Sequence, residues 1–377
     1  MNHRTSRLSS HPMGRWWWSV DKQVIVMTIA LMFCGLLAVA LASSAVMDTY
    51  GVDPYYFFRR QFVFILLSIP TILVLSTFSP TGIRRLSIVM VAACALAIVL
   101  TLLMGADVKG ARRWVYFAGI SLQPTEFLKP ALVVLTAWLL SYTREDERVR
   151  RFLISLGILI ILIILMFLQP DFGMILMHSL VWGTQVFLSG MPLMWLGFLA
   201  GGGMILGACG YLILPHVRSR VERFFDPSSG DSYQVDQARE ALLSGGMFGR
   251  GAGEGVVKYH LPDAHTDFIL AVIGEEFGMI TCAVILCVYA AILIRGFRAI
   301  MQKEDRFVIL AASGLLAVFA LQVLVNMGVV LNVIPTTGMT LPFISYGGSG
   351  TLSMAITIGF LLALMRKRGD DVIRKRT

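Results

Sequence analysis

Long apolar stretches, separated mostly by short polar breaks, run along almost the whole chain. Ten of them are long enough, or nearly so, to cross a bilayer core that requires about 20 helical residues. None shows the alternation of period two that is typical of a membrane β-strand. The pattern predicts an all-α polytopic membrane protein with ten transmembrane helices. These lie near residues 23–46, 62–78, 86–104, 125–143, 152–168, 172–188, 193–214, 268–294, 308–333 and 348–365.

The orientation follows from the positions of lysine and arginine, which favour the cytoplasmic side of a membrane. With the N-terminus inside, the inner segments hold 20 of these residues and the short outer loops hold 5. This distribution predicts that both termini are cytoplasmic and that the long hydrophilic loop 215–266, between spans seven and eight, is extracytoplasmic. The predicted domains are a basic tail at 1–22, a membrane domain at 23–365 and a second basic tail at 366–377.

The composition agrees with this class. Mean hydropathy is +0.75, and 15% of the residues are charged, against about 25% in a soluble domain. The net charge of +9 follows mostly from the topology, so no nucleic-acid partner is expected. All five cysteines lie in apolar spans, which predicts neither a metal cluster nor an exoplasmic disulfide.

A carboxylate stands at the boundary between the long loop and the eighth span. Asp267 belongs to the run His265-Thr266-Asp267-Phe268, after which the chain is apolar again. A charged side chain at such a boundary is costly unless it is paired or used. Asp267 is therefore the first candidate for catalysis.

The predicted fourth span carries a charged pair near its outer end. Glu126 and Lys129 are three residues apart, so they share one face of a helix. Two interpretations stay open. Lys129 either forms a structural ion pair, with Glu126 or Glu276, or binds an anion in a water-filled cavity.

Several arginines lie on the outer side, against the usual bias: Arg59, Arg60, Arg112 and Arg113. Guanidinium groups can grip phosphate oxygens bidentately, so the cluster suits a phosphate or diphosphate. The alternative is contact with lipid headgroups. Asp171, in a short outer turn, is expected as a helix N-cap.

The segment 331–350 is broken by proline and glycine and is rich in serine and threonine. Broken backbone at membrane depth is tolerated only where protein or water satisfies its polar groups. Asn326, within the ninth span, is another polar group that needs a partner. The segment either lines a water-filled cavity or packs between helices through its small residues.

Seven motifs together resemble one family. They are Arg60-Gln61, GARRW at 110–114, QPTEFLK at 123–129, QPDFG at 169–173, GGMFGRGAGEG at 245–255, LPDAHTDFILAVIGEEFG at 261–278 and PTTGMTLPFISYGGSG at 335–350. The chain resembles the SEDS family of bacterial cell-wall polymerases, which includes RodA and FtsW. The basic N-terminal tail and the last motif favour the division member, FtsW.

The resemblance implies a peptidoglycan glycosyltransferase that polymerises lipid II, a disaccharide-peptide on a polyprenyl diphosphate, on the outer face of the membrane. Asp267 corresponds to the essential acid of the family and is expected to act as general base. The substrate-binding residues implied by the motifs are Arg60, Arg113, Gln123, Glu126, Lys129, His265 and Ser345. A divalent cation, Mg²⁺ or Mn²⁺, is associated with the activity, with Asp267 as a possible ligand, and no organic cofactor is expected.

The resemblance also implies partners and a location. A class B penicillin-binding protein would cross-link the new glycan strand, and other membrane proteins of the divisome would assemble around it. The expected location is the bacterial cytoplasmic membrane at the division septum. Two other functions stay open from the residues, namely a lipid II flippase and a non-catalytic scaffold for the penicillin-binding protein.

Overall fold

The computed structural model describes residues 12–51, 53–105, 112–117, 120–191, 194–213, 218, 222 and 233–366. The remaining residues include both ends of the chain and most of the first half of the long loop. Gly110 and Ala111 of the GARRW motif and most of the two basic tails therefore lie outside the described residues.

The described residues form twelve α-helices. They are α1 Pro12–Ser19, α2 Lys22–Tyr50, α3 Tyr56–Ser76, α4 Pro80–Met104, α5 Pro124–Leu140, α6 Glu145–Leu168, α7 Phe172–Leu188, α8 Met194–Ile213, α9 Tyr233–Gly245, α10 Ile269–Ile300, α11 Arg306–Val330 and α12 Gly348–Met365. A short antiparallel hairpin, β1 Val115–Phe117 and β2 Ile120–Leu122, precedes α5. The sequence pattern did not predict this hairpin, although its aromatic and β-branched residues suit strands.

Seven of these helices are long and apolar enough to cross a membrane: α2, α3, α4, α6, α10, α11 and α12. The other three predicted spans appear as helices α5 and α7, of 17 residues each, and α8, of 20 residues. The chain is therefore an integral membrane protein in which each predicted span corresponds to a helix.

The centre of the bundle consists of α5, α11 and α12, which are buried along most of their length. In contrast, α3, α4 and α6 expose many large apolar side chains. A helix that is apolar all round and buried is typical of a bundle interior, whereas exposed apolar faces suit contact with lipid. Pro124, at the first position of α5, helps to define where this central helix begins.

Helix α10 is interrupted at Gly278, whose backbone angles are φ 83° and ψ 172°. The break frees carbonyls before it and amides after it. The amides of Arg250 and Gly251 donate to the carbonyls of Glu275 and Glu276, at 2.9 and 3.0 Å. The amides of Met279 and Ile280 donate to the carbonyls of Gly246 and Met247, at 3.0 and 3.3 Å. The predicted eighth span is therefore two helical segments that meet at Gly278, and the glycine-rich stretch of the long loop pairs with the backbone groups on both sides of the break.

The segment between α11 and α12 is a re-entrant loop, which we define as residues 331–347. It was expected as a turn on the outer side, but it descends into the bundle. Phe343 packs against Phe319 in the middle of α11, with ring centroids 6.4 Å apart, and Tyr289 of α10 donates a 2.6 Å hydrogen bond to the carbonyl of Pro342. A side chain at Gly35 of α2 would collide with the carbonyl of Phe343.

Gly278→Ala should strongly destabilise the protein. The backbone conformation at Gly278 is essentially restricted to glycine, and strain of this kind costs on the order of 1–3 kcal/mol. A Cβ atom there would also lie 2.3 Å from the carbonyl oxygen of Met247. Thermal unfolding of the purified protein in detergent measures the effect.

The matched control is Gly157→Ala in α6, where an added Cβ meets nothing within 4 Å. Alanine is favoured over glycine in a helix by roughly 0.5–1 kcal/mol, so this variant should be neutral or slightly stabilised. Equal unfolding temperatures for the two variants would contradict the break at Gly278.

Candidate active site

The turn that carries Asp267 is held through its backbone. Three consecutive carbonyl groups, those of His265, Thr266 and Asp267, each accept a hydrogen bond from α11 or the re-entrant loop. The donors are the backbone N–H of Tyr346 at 2.8 Å, Oγ of Ser345 at 2.6 Å and Nδ2 of Asn326 at 2.9 Å. Because the contacts are to backbone atoms, they fix the turn without using the Asp267 carboxylate. Asp267 itself is only partly buried.

Asn326 joins two segments that are far apart in the sequence. Its Nδ2 donates to the carbonyl of Asp267 and also, at 2.8 Å, to the carbonyl of Met339 in the re-entrant loop. Both N–H groups of the amide are thereby used. The partner that this polar residue required in the ninth span is therefore a pair of backbone carbonyls, one from each segment.

His265 lies in an aromatic cluster. Its ring is buried, and the centroid of the ring lies 4.1 Å from that of Phe57 and 5.5 Å from that of Tyr346. Arg60 donates a 2.7 Å hydrogen bond to the hydroxyl of Tyr56. The guanidinium of Arg60 also interacts with the hydroxyl of Tyr346. Arg60 and His265 are therefore both neighbours of Tyr346.

A second group of predicted site residues forms around Asp171. Nε2 of Gln123 donates to Oδ2 of Asp171 at 3.0 Å, and Nη1 of Arg113 lies 3.7 Å from Oδ1. Nε of Arg113 also donates to the carbonyl of Gln169 at 3.0 Å. Asp171 occupies the N-cap position of α7 as expected, and its buried carboxylate also orients Gln123 and Arg113.

Lys129 is part of a buried polar chain. Only 3% of the residue is exposed, and its Nζ lies 2.6 Å from Oε2 of Glu126 and 2.7 Å from Oε1 of Gln322. Nε2 of Gln322 in turn donates to the carbonyl of Thr340 at 2.9 Å. Of the two interpretations, this conformation supports the ion pair with Glu126. It does not place the ammonium in an open water-filled cavity.

The other possible partner of Lys129, Glu276, is engaged elsewhere. Oε1 of Glu276 lies 2.5 Å from Nζ of Lys258, and all of this pair is buried. Glu275 accepts hydrogen bonds from the amides of Val256, Val257 and Lys258 at 2.7–2.9 Å. Both acids therefore hold the segment that follows the glycine-rich stretch against the start of α10.

Two glutamines complete the framework. The amide side chain of Gln61 contacts the carbonyl of Ser345 and the amide of Gly347, both at 3.3 Å, and so links α3 to the re-entrant loop. Gln322 was not predicted as a site residue. A single glutamine within an apolar helix was the available signal, since an uncharged amide is easily overlooked beside charged residues.

The described residues contain no group of three or more His, Cys, Asp or Glu side chains that could hold a metal ion. Mg²⁺, however, is commonly held by one or two carboxylates together with substrate phosphates. An ion of that kind would require oxygens from the substrate.

Comparison with known proteins gives consistent matches over nearly the whole chain. The family model for cell cycle proteins of the FtsW, RodA and SpoVE type matches residues 22–369. A probable peptidoglycan glycosyltransferase FtsW from Caulobacter vibrioides is 38% identical over 369 residues, covering 97% of this chain and 94% of that protein. Stage V sporulation protein E of Bacillus subtilis is 31% identical, covering 92% of this chain and 97% of that protein.

Solved structures share the fold. A chain from a peptidoglycan synthase complex, described as coordinating polymerization and crosslinking, superposes with a TM-score of 0.74 at 25% identity, covering 92% of this chain and 97% of that chain. The rod shape determining protein RodA of Thermus thermophilus gives a TM-score of 0.69 at 25% identity, with coverage of 93% and 97%.

Breaking the buried ion pair should cost more than breaking an exposed one. Removing one partner of a buried pair typically costs about 3–5 kcal/mol, because the other charge is left uncompensated. We expect Lys129→Met and Glu126→Gln each to lower the thermal unfolding midpoint markedly. The double variant should lose less than the sum of the two.

The control is the exposed pair between Arg59 and Asp53, whose side chains are 65% and 53% accessible. Exposed pairs contribute about 0–1 kcal/mol, so Arg59→Gln should be nearly neutral. Strictly additive losses at Lys129 and Glu126 would show that the two side chains are not coupled.

Proposed function

We infer the activity from the premise that this chain belongs to the FtsW, RodA and SpoVE family of cell cycle proteins. It is an integral membrane peptidoglycan glycosyltransferase of the SEDS family, with a role in cell division. The observation that carries the site assignment is the turn His265–Asp267, because three donors hold its backbone carbonyls and so fix the position of the Asp267 side chain.

The proposed substrate is lipid II, whose polyprenyl tail would lie against the apolar helices. We further propose that all ten long apolar helices, from α2 to α8 and from α10 to α12, span the membrane with both termini inside. Under this topology Asp267 and the arginines of the site lie at the outer face. The excess of lysine and arginine in the segments assigned to the inside supports it.

Asp267 would act as general base on the acceptor. Its carboxylate takes the proton of the acceptor sugar's 4-hydroxyl, and that oxygen attacks the anomeric carbon of the donor. The bond from this carbon to the diphosphate oxygen breaks as the new glycosidic bond forms. An α-linked donor then gives a β-linked glycan by a single displacement with one base. Such proton transfer typically contributes about 10²–10⁴-fold to the rate.

The leaving group is a diphosphate, which is already a weak base and needs charge stabilisation more than protonation. Arg60 and Arg113 are the proposed contacts, because each is near the outer end of the bundle and only partly buried. Preorganised cations at the site of developing charge are an effective form of catalysis. In this conformation Lys129 acts indirectly. Its ammonium binds Gln322, and Gln322 donates to the carbonyl of Thr340 and so holds the re-entrant loop in place.

Gln123, His265 and Ser345 have positioning roles in this proposal, since their hydrogen bonds hold other parts of the site. A divalent cation, Mg²⁺ or Mn²⁺, would supply further positive charge to the diphosphate, with Asp267 as its possible protein ligand. The proposed partners are a class B penicillin-binding protein and other membrane proteins of the divisome. The proposed location is the cytoplasmic membrane at the septum.

Asp267→Asn should strongly slow polymerisation, because it removes the base while keeping the size of the side chain. We expect a fall of about 10²–10⁴-fold in the initial rate of lipid II polymerisation by the purified protein with its partner. Asp53→Asn is the control, since Asp53 is an exposed acid whose carboxylate pairs with Arg59.

A wild-type rate for Asp267→Asn would refute the proposed base. If that variant instead transported labelled lipid II across proteoliposomes as well as the wild type, and neither polymerised it, a flippase would be favoured.

Asn326→Ala should lower kcat with a smaller effect on KM, because it releases the carbonyls of Asp267 and Met339. Displacement of a catalytic group by about 1 Å can cost around 100-fold in rate. Asn326→Asp should be similarly impaired, since an ionised carboxylate has the same shape but donates no hydrogen bond.

Asn332→Gly is the matched control. Asn332 is an exposed residue of the re-entrant loop with a φ of 57°, which glycine adopts readily. Full activity in Asn326→Asp would show that the size of the side chain, and not its hydrogen bonds, matters at this position.

A further inference from the structure

A cavity of about 460 Å³ lies at the end of the bundle opposite Asp267. Helix α5 begins beside Gln123 and ends at this cavity, and its 17 residues span about 25 Å. Helix α11 begins at the cavity and carries Asn326 near its other end. Under the proposed topology the cavity is on the cytoplasmic side, at the level of the membrane surface. No part of the proposed catalytic site reaches it.

Three helix starts and one helix end form the walls of the cavity. Pro80 and Thr81 open α4, Arg144 is the N-cap of α6, and Asp305 is the N-cap of α11. The remaining wall is the C-terminal end of α5, from Trp138 to Thr143. N-terminal ends of helices carry partial positive charge and C-terminal ends partial negative charge, so three ends of the first kind meet one of the second here.

The charged side chains of the wall are two arginines and two acids. Arg84 and Arg144 line the cavity, and neither forms an ion pair with a described residue. The two acids of the wall are engaged. Glu147 pairs with Arg151 at 3.1 Å, and Asp305 accepts the amides of Phe307 and Val308 at 2.8 and 3.3 Å.

An aromatic side chain forms part of the same wall. Trp138 lies under the guanidinium of Arg84, 5.2 Å from its ring centroid. The lining of the cavity thus contains two arginines without an ion-pair partner among the described residues, one of them stacked over an indole ring.

We propose that this cavity binds the phosphate group of an anionic glycerophospholipid from the inner leaflet. Its volume falls in the range of about 300–1,000 Å³ that suits a small ligand, so a headgroup fits and a folded partner does not. Arginine forks match phosphate oxygens, and basic pockets between helices on the cytoplasmic side are suited to anionic headgroups. The apolar helices beside the opening would accommodate the acyl chains.

Native mass spectrometry of the full chain in mild detergent tests the proposal, with phosphatidylglycerol as the probe. We expect saturable binding that phosphatidylcholine does not reproduce. Arg84→Gln and Arg144→Gln should each weaken it about fivefold, since one basic residue near an anionic surface contributes about that factor. The matched controls Arg85→Gln and Arg150→Gln remove the same charge from exposed neighbours outside the lining.

Thr81→Asp separates binding from folding. An acidic residue in the first turn of α4 is favoured by the helix dipole, so the thermal midpoint should hold or rise. The same acid would repel the phosphate, so phosphatidylglycerol binding should fall.

Three results would overturn the proposal. They are equal losses in the controls and the cavity variants, unchanged binding in Thr81→Asp, and full displacement of the lipid by excess glycerol 3-phosphate. The last result would assign the site to a soluble phosphate compound.

Discussion

Every backbone N–H and C=O group at membrane depth must find its partner within the protein, since lipid supplies none. This protein departs from regular helix at two such places, the break at Gly278 and the re-entrant loop. At the first, the glycine-rich stretch supplies the missing donors and acceptors. At the second, four side chains donate hydrogen bonds to carbonyl groups of the loop that have no helical partner. They are Asn326, Gln322, Tyr289 and Gln61. The irregular backbone is therefore stable only as a set of mutually satisfied segments.

The position of Asp267 follows from this constraint. Asn326 donates both to the re-entrant loop and to the turn at His265–Asp267, and Ser345 and Tyr346 of the loop donate to the same turn, so one network serves both. These contacts fix the backbone from which the Asp267 side chain projects. The buried pair of Lys129 and Glu126 extends the same network through Gln322. Catalysis by a fixed base needs such rigidity, because small displacements of a reacting group reduce the rate strongly.

Much of this architecture could be predicted from the sequence. Hydropathy located each long apolar helix, because the length of an apolar run reflects the thickness of the bilayer. The unusual placement of Asp267, Lys129 and Asn326 also marked them before any contact was known. Hydropathy could not reveal the break at Gly278, because an apolar run that bends reads the same as one that is straight. It could not show the depth of the re-entrant loop either, since that depends on contacts between segments far apart in the chain. The choice between Glu126 and Glu276 as partner of Lys129 was open for the same reason.

The most direct test of the central claim is the rate of lipid II polymerisation by Asp267→Glu, measured with the purified protein and its partner. Glutamate keeps the carboxylate and its charge but moves it by about one methylene from a turn whose backbone is fixed. If positioning of the base by the Asn326, Ser345 and Tyr346 contacts determines activity, kcat should fall by about 100-fold, with the thermal midpoint preserved. A wild-type kcat for Asp267→Glu would contradict the account.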